Sequence, residues 1–186
     1  MTTYYLNAST GSDSNNGTSA STPWQTLNHA FSNSGNNDIL NLQSCVATYT
    51  LPSNFTINGQ QIIGASTLGC VLDGGNSGVY ILLGTSGSTP YFSNLTIQNV
   101  NQGSSFSNFI NTSTSVNSCG FSNVILKNIT AGEGLCSGSA TYTFIGCLFW
   151  NLSSTYNFYN GVISGTTGIF LGSTYYSNIS TSNSLK

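Results

Sequence analysis

A nine-residue pattern of apolar and polar positions occurs four times in the second half of this chain. The copies span residues 92–100, 121–129, 144–152 and 171–179, with the sequences FSNLTIQNV, FSNVILKNI, FIGCLFWNL and LGSTYYSNI. Positions four and six are mostly apolar and alternate with the two-residue period of a β-strand, so both are predicted to face one side. Position eight is Asn in every copy, and position nine is aliphatic.

The spacing of the copies predicts how these strands are arranged. The copies begin 29, 23 and 27 residues apart, and periods of that size are typical of solenoids, in which each repeat stacks on the previous one. The pattern therefore predicts an all-β parallel coil with rungs about 4.8 Å apart. Asn tolerates left-handed backbone angles, and stacked Asn amides can hydrogen-bond along a column. We accordingly predict an Asn ladder formed by Asn99, Asn128, Asn151 and Asn178.

The first part of the chain fits the same coil less regularly. Strand-like runs punctuated by Gly and Asn occupy residues 38–51, 55–64 and 70–84. The only helical signal lies in STPWQTLNHAF, residues 21–31, where Ser21 or Thr22 is predicted to cap a short helix that opens at Pro23. We predict an N-terminal cap segment at residues 1–37, which covers the first rung, and one continuous β-helical domain at residues 38–186.

The N-terminal sequence resembles a known family. Residues 4–31 (YYLNASTGSDSNNGTSASTPWQTLNHAF), followed by NNDILNL and YTL, are similar to the opening of secreted right-handed parallel β-helix proteins of the pectin-lyase-like class. LDGGNSG at residues 72–78 and the nonapeptides extend this resemblance over residues 4–179. It implies a single-stranded, right-handed parallel β-helix with a short N-terminal capping strand and helix. The class includes lyases, hydrolases, adhesins and structural proteins, so the fold does not determine the function.

Charge excludes several classes of function. Only 3% of residues are charged, arginine is absent, and the two cations are Lys127 and Lys186. Clustered Lys and Arg are needed to bind nucleic acid or anionic membranes, and no apolar run approaches the roughly 20 residues that span a bilayer. We therefore expect neither nucleic-acid binding nor membrane insertion.

Eight Asn-x-Ser/Thr sequons indicate a secreted, N-glycosylated protein, although a chain rich in Asn, Ser and Thr also produces sequons by chance. The better glycosylation candidates are Asn7, Asn16, Asn54, Asn94 and Asn111. Asn128, Asn151 and Asn178 also carry sequons, but a buried ladder would exclude glycans from them. The first residues lack a basic region followed by an apolar one, so a secreted protein would carry its signal outside this sequence.

Five cysteines also favour an oxidising compartment, because two disulfides and one buried thiol would account for them. The disulfide candidates are Cys45, Cys70, Cys119 and Cys136. Cys45 and Cys70 lie 25 residues apart, about one turn of the repeat, and could form a bridge between rungs. No spacing of cysteines and histidine resembles a metal site.

Catalytic residues are difficult to find in this sequence. Relatives of pectate lyase use a catalytic Arg or Lys with acidic calcium ligands, and ordinary glycosidases need two nearby carboxylates. The acids here are scattered: Asp13, Asp38, Asp73 and Glu133. Asp73 closes a Gly-rich turn or acts on a substrate, Glu133 is expected in solvent, and His29 is expected to cap the helix or be solvated. Residues 13–18 (DSNNGT) form either an ordered turn or a weak Ca²⁺ site. We predict no catalytic residue, no metal centre and no cofactor other than covalent N-glycans.

Outward positions of the repeat suggest a contact surface. Ile125, Leu148, Trp150 and Tyr175 are predicted to form an apolar patch, which either contacts a partner or is covered by a loop of the same chain. We predict a non-catalytic extracellular structural or adhesive protein that assembles into a homo-oligomer or a filament, such as a fibre, appendage or coat. The alternative is a protein that binds or cleaves polysaccharide, with Asp73, Tyr80 and Tyr91 in contact with sugar.

Overall fold

The chain folds as a parallel β-solenoid with one short helix, which confirms the predicted fold class. The computed structural model describes residues 1–84, 89–102, 108–112, 118–132, 134–137, 140–154, 163–164, 168–176 and 179–180. Within these residues, the helix α1 spans Leu27–Asn33, and the strands β1 to β17 span Thr3–Leu6, Ile39–Leu42, Tyr49–Thr50, Asn54–Ile57, Gln61–Gly64, Val71–Ser77, Tyr80–Leu83, Tyr91–Asn101, Asn108–Thr112, Ser118–Ala131, Gly134–Ser137, Thr141–Ile145, Leu148–Ser154, Ile163–Ser164, Gly168–Leu171, Thr174–Tyr176 and Ile179–Ser180.

Two parallel sheets contain the strands of the described chain. The larger sheet follows the order β1-β2-β5-β8-β10-β12-β15, with β3, β6, β13, β16 and β17 paired alongside. The smaller sheet follows the order β14-β11-β9-β7-β4. Because successive strands in each order are separated by a turn of the chain, the inner side chains of both sheets meet in one continuous core.

Stacked phenylalanines form part of that core and set the register of the repeat. The rings of Phe92, Phe121, Phe144 and Phe170 stack with centroid separations of 5.0, 4.8 and 5.0 Å. The fourth copy therefore begins at Phe170, one residue before the predicted Leu171. Phe170 continues the apolar stack of the earlier copies, whereas Leu171 is exposed and does not join it. The observed register is therefore more favourable than the predicted one.

The N-terminal helix begins later in the sequence than predicted. Thr26, not Ser21 or Thr22, is the N-cap, and its hydroxyl accepts a hydrogen bond from the His29 N–H at 3.1 Å. Pro23 cannot open the helix because Trp24 pairs with Leu6 of β1 in extended conformation. The helix packs against the start of the solenoid, where Phe31 stacks on Phe55 of β4 at 4.6 Å. No helix in the described part of the chain is long and apolar enough to cross a membrane.

Backbone hydrogen bonds cover the outer edge of β1, the first strand of the larger sheet. The Tyr5 N–H donates to the Gly17 carbonyl, the Trp24 N–H to the Tyr5 carbonyl, and the Asn7 N–H to the Trp24 carbonyl, all at 2.8–2.9 Å. The Trp24 ring stacks on Tyr4 at 4.3 Å. Gly17 has a φ of 70°, and a Cβ on it would lie 2.5 Å from the Trp24 ring. This edge is therefore occupied by residues of the same chain and is not available to another strand.

Candidate functional site

The Asn column runs along one corner of the solenoid and begins at a carboxylate. Asn151 Nδ2 donates to Asn128 Oδ1 at 2.9 Å, Asn128 Nδ2 to Asn99 Oδ1 at 3.2 Å, and Asn99 Nδ2 to Asp73 Oδ2 at 2.8 Å. The three asparagines have φ values of 52–55°, the left-handed conformation expected of such a column. Asn178, the fourth predicted member, lies outside the described residues.

The position of this column differs from the prediction in one respect. Asn151 is exposed and Asn99 and Asn128 are only partly buried, so the amides lie near the surface. Burial therefore does not exclude glycans from Asn128 and Asn151, although their amide hydrogen bonds compete with such a modification.

A second column of left-handed residues was missed. Asn94, Asn123, Gly146 and Gly172 occupy one position on successive rungs, with φ values of 53–61°. Asn123 Nδ2 donates to Asn94 Oδ1 at 2.9 Å. On the preceding rung, the same position is Gly64, which is not left-handed; a Cβ on it would lie 2.2 Å from the Asn94 carbonyl oxygen. When the fourth copy starts at Phe170, position three of the repeat is Asn or Gly in every copy. This recurrence is the sequence feature that could have predicted the second column.

Each described carboxylate accepts hydrogen bonds from its own chain. Asp73 accepts from Gln98 Nε2 and Asn99 Nδ2 through Oδ2, at 2.7 and 2.8 Å, and from the Gly75 N–H through Oδ1 at 2.7 Å. Asp38 is buried, accepts from the Thr2 and Gly35 N–H groups at 2.6 and 2.8 Å, and lies 3.9 Å from the terminal amino group. These contacts are those of structural groups that organise turns and the N terminus. Glu133 lies outside the described residues.

Asp13 holds the start of the helix. Its Oδ1 accepts from the Gln25 and Thr26 N–H groups at 2.9 Å, and its Oδ2 accepts from the Thr26 hydroxyl at 2.7 Å. Partial burial alone would raise the pKa of Asp13, but the hydrogen bonds from Thr26 and Gln25, with the nearby His29, hold this pKa below its ordinary value.

The rest of the loop at residues 13–18 is also hydrogen-bonded internally. Asn16 Oδ1 accepts from the Thr18 N–H and the Thr22 hydroxyl, at 3.1 and 3.2 Å, and Asn15 Nδ2 donates to the Pro23 carbonyl at 2.9 Å. Within the described residues, His, Cys, Asp and Glu form no group of three that could hold a metal. The contacts are those of the ordered turn, and the weak Ca²⁺ site stays a prediction.

The predicted glycosylation candidates differ in their surroundings. Asn16 is exposed, whereas Asn7 is partly buried and its Nδ2 donates to Gln43 Oε1 at 3.0 Å. Asn94 belongs to the second Asn column, where its Oδ1 accepts from Asn123. The side chains of Asn54 and Asn111 lie outside the described part of the structure. Of these candidates, Asn16 combines exposure with a surface loop most clearly.

All five cysteines are free thiols in the structure, so neither of the two predicted disulfides is present in it. Cys119, Cys136 and Cys147 are buried, and burial raises the pKa of each thiol. For Cys136, the neighbouring Cys119 raises the pKa further. Because the thiolate is the reactive form, these three thiols are poorly disposed to react. The predicted pairing of the cysteines stays a prediction.

The predicted apolar patch is only partly exposed. Trp150 is 43% exposed, whereas Ile125 and Leu148 are half-buried. Lys127 places its Nζ 5.8 Å from the centre of the Trp150 ring, a cation–π geometry. Tyr175 pairs with Phe149, whose side chain is fully buried, and not with Leu148, whose partner is Thr174. The one-residue error in the fourth copy therefore placed Tyr175, instead of Thr174, opposite Leu148; the Tyr175 side chain lies outside the described part of the structure.

A different set of apolar side chains is exposed on the last rungs. We call Ile145, Trp150, Ile169 and Leu171 the C-terminal apolar surface; they are 45, 43, 40 and 54% exposed. Ile145 pairs with Leu171 on adjacent strands, Ile169 lies two residues before Leu171, and Trp150 lies beyond the turn at Gly146. The other large exposed apolar residues of the described chain, Met1, Val46 and Leu68, lie outside the strands.

A shallow cleft lies on the outer face of the larger sheet, beside Tyr91. Its volume is about 270 Å³, and it is lined by uncharged residues: Gln61, Thr89, Pro90, Tyr91, Ser118, Cys119, Gly120 and Thr143. The Tyr91 ring lies directly against the backbone of Gly120, where a Cβ would be 2.7 Å from the ring. We call this feature the Tyr91 cleft.

The three residues predicted to contact sugar are not brought together. Tyr91 pairs with Gln61 and Gly120, whereas Asp73 pairs with Thr50 and Gln98, which lies seven residues after Tyr91 and beyond the corner at Asn94. Tyr80 begins β7 in the smaller sheet. A single substrate site built from Asp73, Tyr80 and Tyr91 is therefore not formed.

Comparisons with known proteins add little to this description. No family model and no curated protein matches the chain. A solved structure of a rhamnogalacturonan lyase is similar, with a TM-score of 0.44 and 12% sequence identity over 96% of this chain. The match covers 56% of the lyase, so this chain spans little more than half of its length. No statement about activity follows from a similarity of this size.

Proposed function

We propose that this chain is a non-catalytic, extracellular structural or adhesive β-solenoid that associates with copies of itself through the C-terminal apolar surface. The observation that carries the proposal is the exposure of Ile145, Ile169 and Leu171 on the outer face of adjacent strands. Exposed apolar side chains that lie together mark contact surfaces, because burying them against a partner removes apolar area from water.

A second copy of the chain is the partner that fits this surface. With a formal net charge of −2 and 3% charged residues, two copies approach with little electrostatic repulsion. The outer face of a sheet can meet the same face of a second copy across a two-fold axis. The hydrogen-bonded edge of β1 supports this face-to-face contact over end-to-end strand pairing, because a strand added there would have to displace Gly17 and Trp24.

The proposal includes no catalytic role because the described carboxylates take part in hydrogen bonds that organise their own chain. Asp13, Asp38 and Asp73 each accept at least two hydrogen bonds from their own chain. These hydrogen bonds give each of the three carboxylates a structural role, which is what the proposal assigns to them. An extracellular location with N-glycans is consistent with the exposed sequon at Asn16 and with a surface that carries few charges.

Sedimentation velocity over a range of concentrations tests the proposed association. We expect the wild-type chain to form a larger species as concentration rises, and the double variant Ile145→Lys/Leu171→Lys to keep the mass of one chain. Asn41→Lys is the matched control, since Asn41 is a partly exposed residue in the same outer column at the other end of the sheet. Equal association of the wild type and the double variant, or a wild type that remains single at every concentration, would contradict the proposal.

Binding of a neutral carbohydrate is a second candidate function, and the Tyr91 cleft favours it. An aromatic ring beside hydroxyl and amide groups suits the apolar face and the hydroxyls of a sugar. Titration with neutral oligosaccharides, followed by NMR, would shift signals of the cleft in the wild type and not in Tyr91→Ala. Tyr5→Ala is the control, since Tyr5 is a partly exposed tyrosine on the first strand. No shift in the wild type would remove this candidate.

A further inference from the structure

Cys45 and Cys70 lie side by side on adjacent turns of the solenoid. The Cys45 N–H donates to the Gly69 carbonyl at 3.0 Å, and Ser44 Oγ lies 3.2 Å from Ser66 Oγ. In a parallel pair, an N–H donates to the residue that precedes its opposite neighbour, so the first bond places Cys45 opposite Cys70. Neighbouring strands lie about 4.8 Å apart, within the range of about 4.4–6.8 Å that separates the Cα atoms of disulfide-bonded cysteines.

Both thiols lie close to the Tyr49 side chain. Cys70 is buried, and Cys45 is partly exposed and packs against the core cluster. Tyr49 lies four residues after Cys45 on the same turn, and its hydroxyl is within hydrogen-bond reach of the Leu6 and Gln43 carbonyls at 2.9 and 2.7 Å. Burial, followed by a hydrogen bond with Cys45 and the proximity of both thiols, raises the pKa of Tyr49.

Each thiol is held only by weak bonds. Cys45 Sγ donates to the Ala47 carbonyl and Cys70 Sγ to the Leu42 carbonyl, both at 3.1 Å, and Cys70 Sγ also accepts from the Ala65 N–H at 3.2 Å. Thiols are weak donors, so little is lost when the two sulfurs turn from these carbonyls toward each other. The exposure of Cys45 gives a soluble oxidant access to one member of the pair, whereas Cys119, Cys136 and Cys147 are all buried.

We propose that Cys45 and Cys70 are an oxidation site that forms a disulfide between adjacent turns when the chain meets a small disulfide such as oxidised glutathione. The Cys45 thiolate attacks the oxidant, forms a mixed disulfide and releases one glutathione thiol. The Cys70 thiolate then attacks the Cys45 sulfur and releases the second. The two cysteines together lose two electrons and two protons, and the oxidant becomes two thiols.

This cross-link fixes the start of the coil. It joins residues 25 apart in sequence, and closing a loop of that length restricts the unfolded chain. We expect oxidation to raise the melting temperature of the full-length chain by roughly 5–10 °C. Both thiols lie in the first turns, away from the C-terminal apolar surface. Formation of the disulfide therefore does not depend on the proposed self-association.

The test is to treat the folded, reduced chain with oxidised glutathione and to map the cysteines by mass spectrometry after alkylation. We expect the intact mass to fall by about 2 Da, the mass of two hydrogen atoms, and a peptide that joins Cys45 to Cys70, with the other three cysteines alkylated only after unfolding. Cys45→Ser is the control, because it keeps a donor for the Ala47 carbonyl but cannot form the bond, so it should show no rise in melting temperature. A chain in which all five cysteines remain thiols, Cys45 joined only to glutathione, or a bridge between other cysteines would overturn the proposal.

Discussion

At the N-terminal end of the solenoid, the loop and helix of the first 33 residues cover β1, whereas the last described rungs expose Ile145, Ile169 and Leu171. The inner packing of the coil does not explain this difference, because apolar side chains fill the same column towards both ends. Leu40 and Ile62 occupy it on the early rungs, and the phenylalanine stack occupies it from Phe92 to Phe170. The two ends differ on the outside. Features that repeat on every rung maintain the fold, and features confined to one end are better candidates for a function.

The two tryptophans allow the largest test of this comparison. Trp24 is 4% exposed, stacks on Tyr4 and donates from Nε1 to the Asn15 carbonyl at 2.9 Å, whereas Trp150 is 43% exposed. We expect Trp24→Ala to lower the free energy of unfolding by about 3–5 kcal/mol, because it leaves a cavity against β1. Trp150→Ala should cost less than about 1 kcal/mol. Urea unfolding of both variants measures the difference, and equal losses would contradict it.

The Asn column links the first half of the coil to its later rungs, and Asn128 is in its middle. Asn128→Ala removes the amide hydrogen bonds to Asn99 and Asn151 and places a Cβ-bearing residue other than Asn at a φ of 53°. We expect a loss of about 2 kcal/mol in the free energy of unfolding. Asn128→Gly removes the same bonds without the backbone strain and should cost about half as much. Equal losses in the two variants would show that the left-handed conformation contributes nothing.

Asp13 makes the N-terminal end sensitive to acid. Its pKa is lower in the folded chain than in the unfolded one, so its contribution to stability is present above its unfolded pKa, about 4, and is lost as pH falls through the folded value. Asp13 is only partly buried, so solvent screens its charge, and we expect Asp13→Asn to cost about 1 kcal/mol at pH 7. The melting temperatures of the two proteins should converge as the pH falls below 4. A difference that persists at low pH would assign the effect to packing instead of charge.

The smallest effect is expected where the asparagines of the second column are followed by glycine. Gly146 lies one rung beyond Asn123, has a φ of 60°, and has no atom within 4 Å of an added Cβ. Gly146→Asn should stabilise the chain by a few tenths of a kcal/mol, since its amide can hydrogen-bond to Asn123 and Asn tolerates this φ. Gly146→Ala gains no such bond and should cost about 1 kcal/mol. Thermal unfolding compares the two, and equal effects would exclude the added amide bond.

The repeat could be predicted because the inner chemistry recurs. Apolar residues such as Leu95 and Val124 are fully buried on adjacent strands, and Asn99, Asn128 and Asn151 share a corner, as their spacing indicated. The fourth copy was misaligned by one residue. An apolar residue precedes a small one both in FIG, residues 144–146, and in LGS, residues 171–173, so this pattern does not distinguish the two alignments. That error placed Tyr175, instead of Thr174, opposite Leu148 and concealed Gly172 as a member of the second column.

Local hydrogen bonds determine where the helix starts, which the sequence pattern did not predict correctly. Pro23 is a common first residue of helices, but Asp13, ten residues earlier, binds the Thr26 N–H and hydroxyl and so favours Thr26 as the cap. The exposure of Asn151 could not be predicted either, because a period of 23–29 residues gives the stacking of the corner but not the amount of chain packed outside it.

The phenylalanine stack has a consequence for how such chains change in length. Phe121 meets Phe92 on one side and Phe144 on the other, in nearly parallel geometry with interplanar angles of 1° and 12°. A duplicated segment of one turn, inserted between two of these rings, would meet the same aromatic surface above and below. Genetic gain or loss of whole turns would therefore leave each contact intact, and the height of the molecule is free to vary while its cross-section stays constant.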